Sequence, residues 1–169
     1  YAAKISFYNN KIFITDRLNE VIATSINGDV LWRKKLNAIP ISVPVVDLNS
    51  VYVITNDNRL YSLNQEDGNI KWIHYGSIKD SAILGSANPV IYNNYVIASY
   101  SSGELYIIDK SSGNTIFSHG LTNKNLLFSN FELTDIDSTP IIKNNILIAT
   151  SNSSSTKTIN MNDFNIMWK

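Results

Sequence analysis

The feature that most constrains this chain is an internal repeat. Trp32, Trp72, Phe117 and Trp168 close four similar segments, at separations of 40, 45 and 51 residues. Four residues before each aromatic stands Gly28, Gly68, Gly113 and then Phe164, the one departure. The turns there read Asn27-Gly28-Asp29, Asp67-Gly68-Asn69, Ser112-Gly113-Asn114 and Asp163-Phe164-Asn165. A second landmark is Pro44, Pro89 and Pro140, spaced by 45 and 51 residues. Each proline precedes two β-branched residues: Val45-Val46, Val90-Ile91 and Ile141-Ile142. Periods of this length mark chains built from stacked supersecondary units.

The best-preserved unit is residues 51–72, VYVITNDNRLYSLNQEDGNIKW. Leu60, Ser62 and Asn64 alternate with Tyr61 and Leu63, so the segment has a two-residue period, and Asp67-Gly68 supplies the positive φ of a tight hairpin. Applied to all four units, the pattern predicts four short strands in each. These are 4–8, 11–15, 20–25 and 30–34; then 42–46, 51–55, 59–64 and 69–74. The third and fourth units give 87–92, 95–100, 104–109 and 114–118, then 138–143, 145–150, 156–161 and 165–169. No segment carries a 3.6-residue period of helical length. Four antiparallel strands per repeat describe a β-propeller blade. The sequence therefore reads as all-β: about four blades, at 1–36, 37–78, 79–120 and 121–169, forming a single partial propeller domain. One such sheet cannot bury both faces alone, so the four closing aromatics are expected to be largely buried between blades.

Composition narrows the function. The formal net charge is zero and the lysines are scattered, which argues against nucleic acid as a partner. There is no cysteine, hence no disulfide and no thiolate metal site in this segment. No apolar run approaches the roughly 20 residues of a membrane helix. Tyr1-Ala2-Ala3-Lys4 leads straight into a strand-like run without a signal peptide, which suggests a mature form or a trimmed fragment.

The connections from one unit to the next lengthen along the chain. From closing aromatic to proline the gaps are 12, 17 and 23 residues. Insertions confined to one class of connection project from one rim of a propeller, where function is commonly grafted. The candidates are 75–88 and 119–139. His74 and His119 follow the fourth strands of neighbouring units; with no third ligand at a recognisable spacing, they read as exposed loop residues rather than a metal pair. Asp135 and Asp137 are two apart, which on a strand puts both carboxylates on one side. A backbone-capping turn and an acidic patch for a protein partner are both open; calcium would need more oxygen ligands. No nucleophile constellation and no phosphate-cradling glycine loop is present. The serine-rich stretch 151–158, SNSSSTKT, reads as a solvated turn.

The unit at 51–72 resembles the pyrroloquinoline-quinone-type propeller repeat. Two families share that repeat: quinoprotein dehydrogenases and the outer-membrane-assembly lipoproteins of the BamB type. The loops favour the second. Thr134-Asp135-Ile136-Asp137-Ser138-Thr139-Pro140 is similar to that family's S-D-V-D-T-T-P stretch. Ile83-Leu84-Gly85-Ser86-Ala87-Asn88-Pro89 is similar to its L-R-G-E-S-A-P stretch, with Leu84 in the place of the arginine. Asn165-Ile166-Met167-Trp168-Lys169 is similar to its G-Q-I-M-W-K strand. The resemblance implies an eight-bladed propeller without catalysis or cofactor. It also implies a lipid anchor outside this segment and a place at the periplasmic face of the outer membrane. The implied partners are the periplasmic region of BamA and, as a further class, unfolded outer-membrane proteins. Ile83 and Leu84 would supply an apolar anchor for docking, and Asp135 and Asp137 an acidic flank. Four units would leave end blades open, so self-association is a further expectation. The alternatives are a fragment of a quinoprotein dehydrogenase, against which the missing cysteines count, and a generic peptide-binding propeller.

Overall fold

The computed structural model describes residues 3–77, 87–121, 138–151 and 156–168. It holds sixteen strands, in four antiparallel sheets of four, and no helix among the described residues. Sheet one contains β1 (Lys4–Tyr8), β2 (Lys11–Thr15), β3 (Glu20–Ser25) and β4 (Val30–Lys35). Sheet two contains β5 (Val45–Val46), β6 (Ser50–Thr55), β7 (Arg59–Asn64) and β8 (Ile70–Tyr75). Sheet three contains β9 (Val90–Tyr92), β10 (Tyr95–Ser99), β11 (Glu104–Asp109) and β12 (Thr115–Gly120). Sheet four contains β13 (Ile141–Lys143), β14 (Ile146–Thr150), β15 (Thr156–Asn160) and β16 (Ile166–Trp168). Each sheet is a meander in chain order, which is the arrangement of a propeller blade. Two compact units result, Tyr1–Tyr75 with sheets one and two and Gly76–Lys169 with sheets three and four.

The strands match the repeat closely, except that the first strands of sheets two, three and four are shorter than the sequence suggests. In sheet two it is Val45–Val46 rather than 42–46. Pro44 brings no N–H to the ladder, and the chain before it leaves the regular register. The amides of Ile41 and Ser42 both donate to the Ile54 carbonyl, at 2.9 and 3.3 Å. The Ser42 hydroxyl accepts from the Ile54 amide at 2.8 Å, so a side chain takes the place of a ladder acceptor.

Every sheet carries the same irregularity between its third and fourth strands. The register shifts at Ala23/Thr24, Ser62/Leu63, Ile107/Ile108 and Thr158/Ile159. The extra residue is Leu31, Lys71, Ile116 or Met167, always the one before the closing aromatic, and all four are exposed. A bulge adds a residue on one strand and re-aims its neighbours. Here it turns the aromatic onto the face carried by Ala23, Ser62, Ile107 and Thr158, while the extra residue points outward. That aromatic-bearing side is termed the forward face, and the opposite side the rear face.

Within each unit a forward face packs on the rear face of the next blade. In the first unit Phe13, Val21, Ala23 and Trp32 meet Val51, Val53, Tyr61 and Leu63. In the second, Ile97, Leu105 and Ile107 meet Leu147, Ala149 and Ile159. Leu36 and Leu121, which follow the fourth strands, join these cores and are buried. Their amides donate to Asn19 and Gly103 carbonyls at 2.7 and 2.8 Å, tying each connection to a hairpin of its own blade.

The closing aromatic meets the glycine turn of the following blade. The Trp32 indole donates to the Gln65 carbonyl at 3.0 Å. Gly68, at φ 71°, lies beneath the ring; a Cβ there would sit 2.5 Å from Trp32 Cε3. In the second unit Phe164 occupies the glycine position and keeps the left-handed backbone, at φ 58°. The turn itself is conserved in form: Asp163 and Asp67 each cap the amide of the asparagine two residues on, at 3.0 and 2.9 Å. The Phe164 ring stacks on Phe117 at 6.0 Å and meets Tyr95 edge-on at 5.7 Å. A tryptophan over a glycine in one junction is thus replaced by two stacked phenylalanines in the other.

The expectation of four buried aromatics holds in part. Trp32 is buried, Trp72 and Phe117 are half-buried, and Trp168 is 54% exposed. The correction for Trp168 has a plain cause: no blade follows sheet four among the described residues to cover its forward face.

Left-handed backbone costs a phenylalanine about 1–2 kcal/mol, yet ring burial outweighs that. Phe164→Gly is expected to lower stability by about 1–2 kcal/mol in urea unfolding. Phe117→Trp alone should also destabilise by about 1–3 kcal/mol through overpacking. Combined, they rebuild the Trp32–Gly68 arrangement, and a favourable coupling of at least about 1 kcal/mol is expected in the double-mutant cycle. Additive losses would contradict the exchange.

Candidate protein-docking rim

In a meander blade the fourth strand ends on the side where the next blade's first strand begins, and the hairpin between second and third strands turns there too. The long connections and these hairpins therefore share one rim. The residues singled out for docking, Ile83, Leu84, Asp135 and Asp137, lie outside the described residues. The roots of both connections are described, and they are built from the second unit.

The two roots meet. The Asn88 amide, at the end of the first connection, donates to Thr139 Oγ1, at the end of the second, at 3.1 Å. Ser138 Oγ donates to the Thr150 carbonyl at 2.9 Å, fixing the second root to the adjacent hairpin. Pro89 and Pro140 are both buried beside these contacts. The start of the second connection is held by Lys157. This lysine is only 4% exposed, and its Nζ donates to the Gly120 carbonyl at 2.7 Å and lies 3.0 Å from His119 Nε2. The His119 ring stacks at 6.2 Å on Phe117. A buried lysine is tolerable where its protons meet carbonyl and imidazole acceptors.

The start of the first connection is held by a second polar group. Glu104 Oε2 accepts from Ser102 Oγ and Tyr106 OH, both at 3.1 Å. Burial alone would raise the Glu104 pKa. Hydrogen bonds from the Ser77 side chain, Tyr106, Ser102 and the Ser77 backbone outweigh it, so the carboxyl is held below its ordinary value. Beside it Gly76 lies against Tyr100; a Cβ on Gly76 would fall 2.4 Å from the ring. Burial of this kind leaves no room for a side chain at the point where the connection departs.

Two sequence readings are corrected here. His74 and His119 are not loop residues: they lie in β8 and β12, which run on to Tyr75 and Gly120. His74 is buried, and desolvation pushes its pKa down. The stretch 151–158 is only in part a turn, because Thr156, Lys157 and Thr158 belong to β15 and the latter two are buried. Lys157 and Glu104 are the root residues that sequence reasoning passed over. Their one legible signal was position, at the starts of third strands whose alternation points one inward. Among the described residues, no group of three or more histidines and acids could hold a metal.

Fold and roots together define a blade-repeat β-propeller protein whose two long connections end side by side at Asn88 and Thr139. The family model described as outer membrane protein assembly factor BamB matches residues 2–169, and the chain belongs to that family. A relative named outer membrane protein assembly factor BamB, from Nitrosomonas eutropha, is 27% identical over 130 residues, covering 77% of this chain and 32% of that protein. The crystal structure of BamB from Moraxella catarrhalis superposes with a TM-score of 0.87 at 21% identity, over 99% of this chain and 51% of that one. A europium-containing methanol dehydrogenase superposes with a TM-score of 0.74 at 13% identity, over 97% of this chain and 40% of that one. That likeness is one of fold. The chain spans about a third of the curated relative's length and about half of the solved BamB chain.

The Glu104 group makes the roots sensitive to acid. Its folded pKa lies below the unfolded value, so its contribution is present above roughly pH 4.3–4.5 and lost as pH falls through the folded pKa. Glu104→Gln is expected to flatten the acid limb of a stability-versus-pH curve measured by urea unfolding, relative to the parent chain. An unchanged limb would show that the carboxylate is not engaged.

Proposed function

We propose that this chain is a non-catalytic scaffold in the assembly of outer-membrane β-barrels, docking on the periplasmic region of BamA. The observation that carries the reading is the family match over residues 2–169. It is supported by the convergence of the two long connections at Asn88 and Thr139. The four blades act as one part of a larger propeller and work at the periplasmic face of the outer membrane. Membrane attachment comes through a lipid anchor outside this segment. Unfolded outer-membrane proteins are a second class of partner, and no cofactor or nucleic acid is involved.

The docking surface in this reading is the pair of connections, with Ile83 and Leu84 as the apolar centre and Asp135 and Asp137 as the charged edge. Interfaces of this composition draw affinity from a small desolvated centre and specificity from the rim. A leucine at position 84, where the family's pattern has arginine, makes the contact less dependent on salt.

The test is capture by the cognate BamA periplasmic domains. Leu84→Ala combined with Asp137→Ala should weaken capture by roughly tenfold or more, while Asp67→Ala, on the opposite rim, should leave it unchanged if circular dichroism is intact. Full capture by the folded double variant would remove the proposed surface.

A further inference from the structure

Two basic side chains face each other inside the second unit, where sheet three packs on sheet four. His119 lies on the forward face of sheet three with its register partner Leu105, and Lys157 on the rear face of sheet four with its register partner Ala149. Lys157 is buried, His119 is half-buried, and the His119 ring lies nearly parallel to Phe117. Lys157 Nζ lies 3.0 Å from His119 Nε2 while it donates to the Gly120 carbonyl at 2.7 Å. An ammonium donates and does not accept, so this contact requires a bare Nε2 on His119 and places the ring proton on Nδ1. The first junction has Lys34 and Tyr61 at the corresponding positions: two residues after the closing aromatic, and one before the residue that pairs with the next. The other titratable or charged groups on these strands stand elsewhere. By the alternation of β11, Glu104 and Tyr106 lie on the opposite face of sheet three. Tyr92, Tyr95, Asp109 and Lys143 lie at the far ends of β9, β10, β11 and β13.

We propose that His119 and Lys157 form a proton-sensitive latch, which holds the start of the second connection at neutral pH and releases it in mild acid. A proton on Nε2 removes the lone pair that accepts from Lys157 and sets a second cation against the first. That bond is lost whatever else the ammonium touches. The histidine then has to leave the junction, and Gly120 and Leu121 follow it in the chain. The Leu121 amide, which donates to the Gly103 carbonyl at 2.8 Å, reports that opening. An unfolded histidine takes up its proton below about pH 6.5, whereas the latched one does so only by opening. The contribution of the latch is therefore present above roughly pH 6.5 and lost as pH falls below it. The Glu104 group responds in a lower window, below roughly pH 4.5. The latch rests on the contacts of the second unit and is independent of docking on BamA.

Nitrogen NMR of the imidazoles tests it on the 169-residue chain, which has two histidines. At neutral pH the His119 ring should carry its proton on Nδ1 and leave Nε2 bare. Hydrogen exchange at the Leu121 amide, corrected for its intrinsic pH dependence, should lose up to roughly tenfold in protection per pH unit below about 6.5. The amides of β10 and β11 should stay protected over the same range. Both readings are made on the parent chain and stand even if a variant fails to fold. His119→Gln offers Lys157 a carboxamide oxygen that does not titrate, so Leu121 protection should no longer fall. Lys157→Met removes the ammonium, and His119 should then take up its proton at a higher pH than in the parent chain. His74 is present throughout, so its own titration cancels in these comparisons. A proton on Nε2 at neutral pH overturns the proposal, as does the same course of Leu121 protection in the parent chain and His119→Gln. An unmoved His119 titration in Lys157→Met overturns it as well.

Discussion

The structure depends on one contact: an aromatic from the last strand of a blade, laid against the turn of the blade that follows. Trp32 makes it with an indole hydrogen bond to Gln65 and the flat underside of Gly68. A single four-stranded sheet has two faces and no means of burying both, so the energy of the fold lies between blades. The aromatic brings a large apolar surface to that junction, and its indole N–H finds its acceptor on the neighbouring blade. The bulge before Trp32, and the one before Phe117, aims the ring there. It also twists the outermost strand, which discourages pairing with a foreign strand along that edge.

Seen this way, the two departures from the repeat are one adjustment. Phe117 is smaller than the tryptophans at Trp32 and Trp72, and Phe164 is larger than the glycines it replaces. The ring of Phe164 fills what Phe117 leaves, at the cost of a left-handed φ. Both substitutions were visible in the sequence, but their connection was not, because it runs between residues 47 positions apart on different sheets. The repeat itself was legible for the opposite reason. Strand alternation and turn residues are local signals, and β1, β2, β3, β7 and β11 begin and end where the pattern placed them. The first strand of sheet two was not, since a serine side chain and a missing proline N–H interrupt the ladder at Ser42–Pro44 without disturbing the hydrophobic pattern. His74 and Lys157 were misread because burial of a polar residue depends on which acceptors tertiary packing supplies. The resemblance to the BamB repeat reached the family directly, and the docking residues it implied, Ile83, Leu84, Asp135 and Asp137, stand outside the described residues.

The rim follows from the same stacking. Because sheet three leans on sheet four, the ends of the two connections arrive side by side, and Asn88 reaches Thr139 with a hydrogen bond. Buried polar groups then fix where each connection leaves the sheet: Lys157 on the Gly120 carbonyl, and Glu104 among serine and tyrosine hydroxyls. Rigid roots of this kind are what a scaffold needs. In the proposed docking, a base whose ordering is already complete loses less on binding. A scaffold reading asks for shape and steadiness rather than for chemistry, and the roots provide both.

The central claim is that blade one is held by blade two through the Trp32 contact. The most direct measurement is hydrogen exchange at the Trp32 indole N–H, followed by NMR alongside the amides of β6 and β7. If the junction carries the fold, the indole proton exchanges only when those strands open, with the same protection and the same dependence on urea. An indole proton that exchanges as fast as free tryptophan, while β6 and β7 remain protected, would contradict the account.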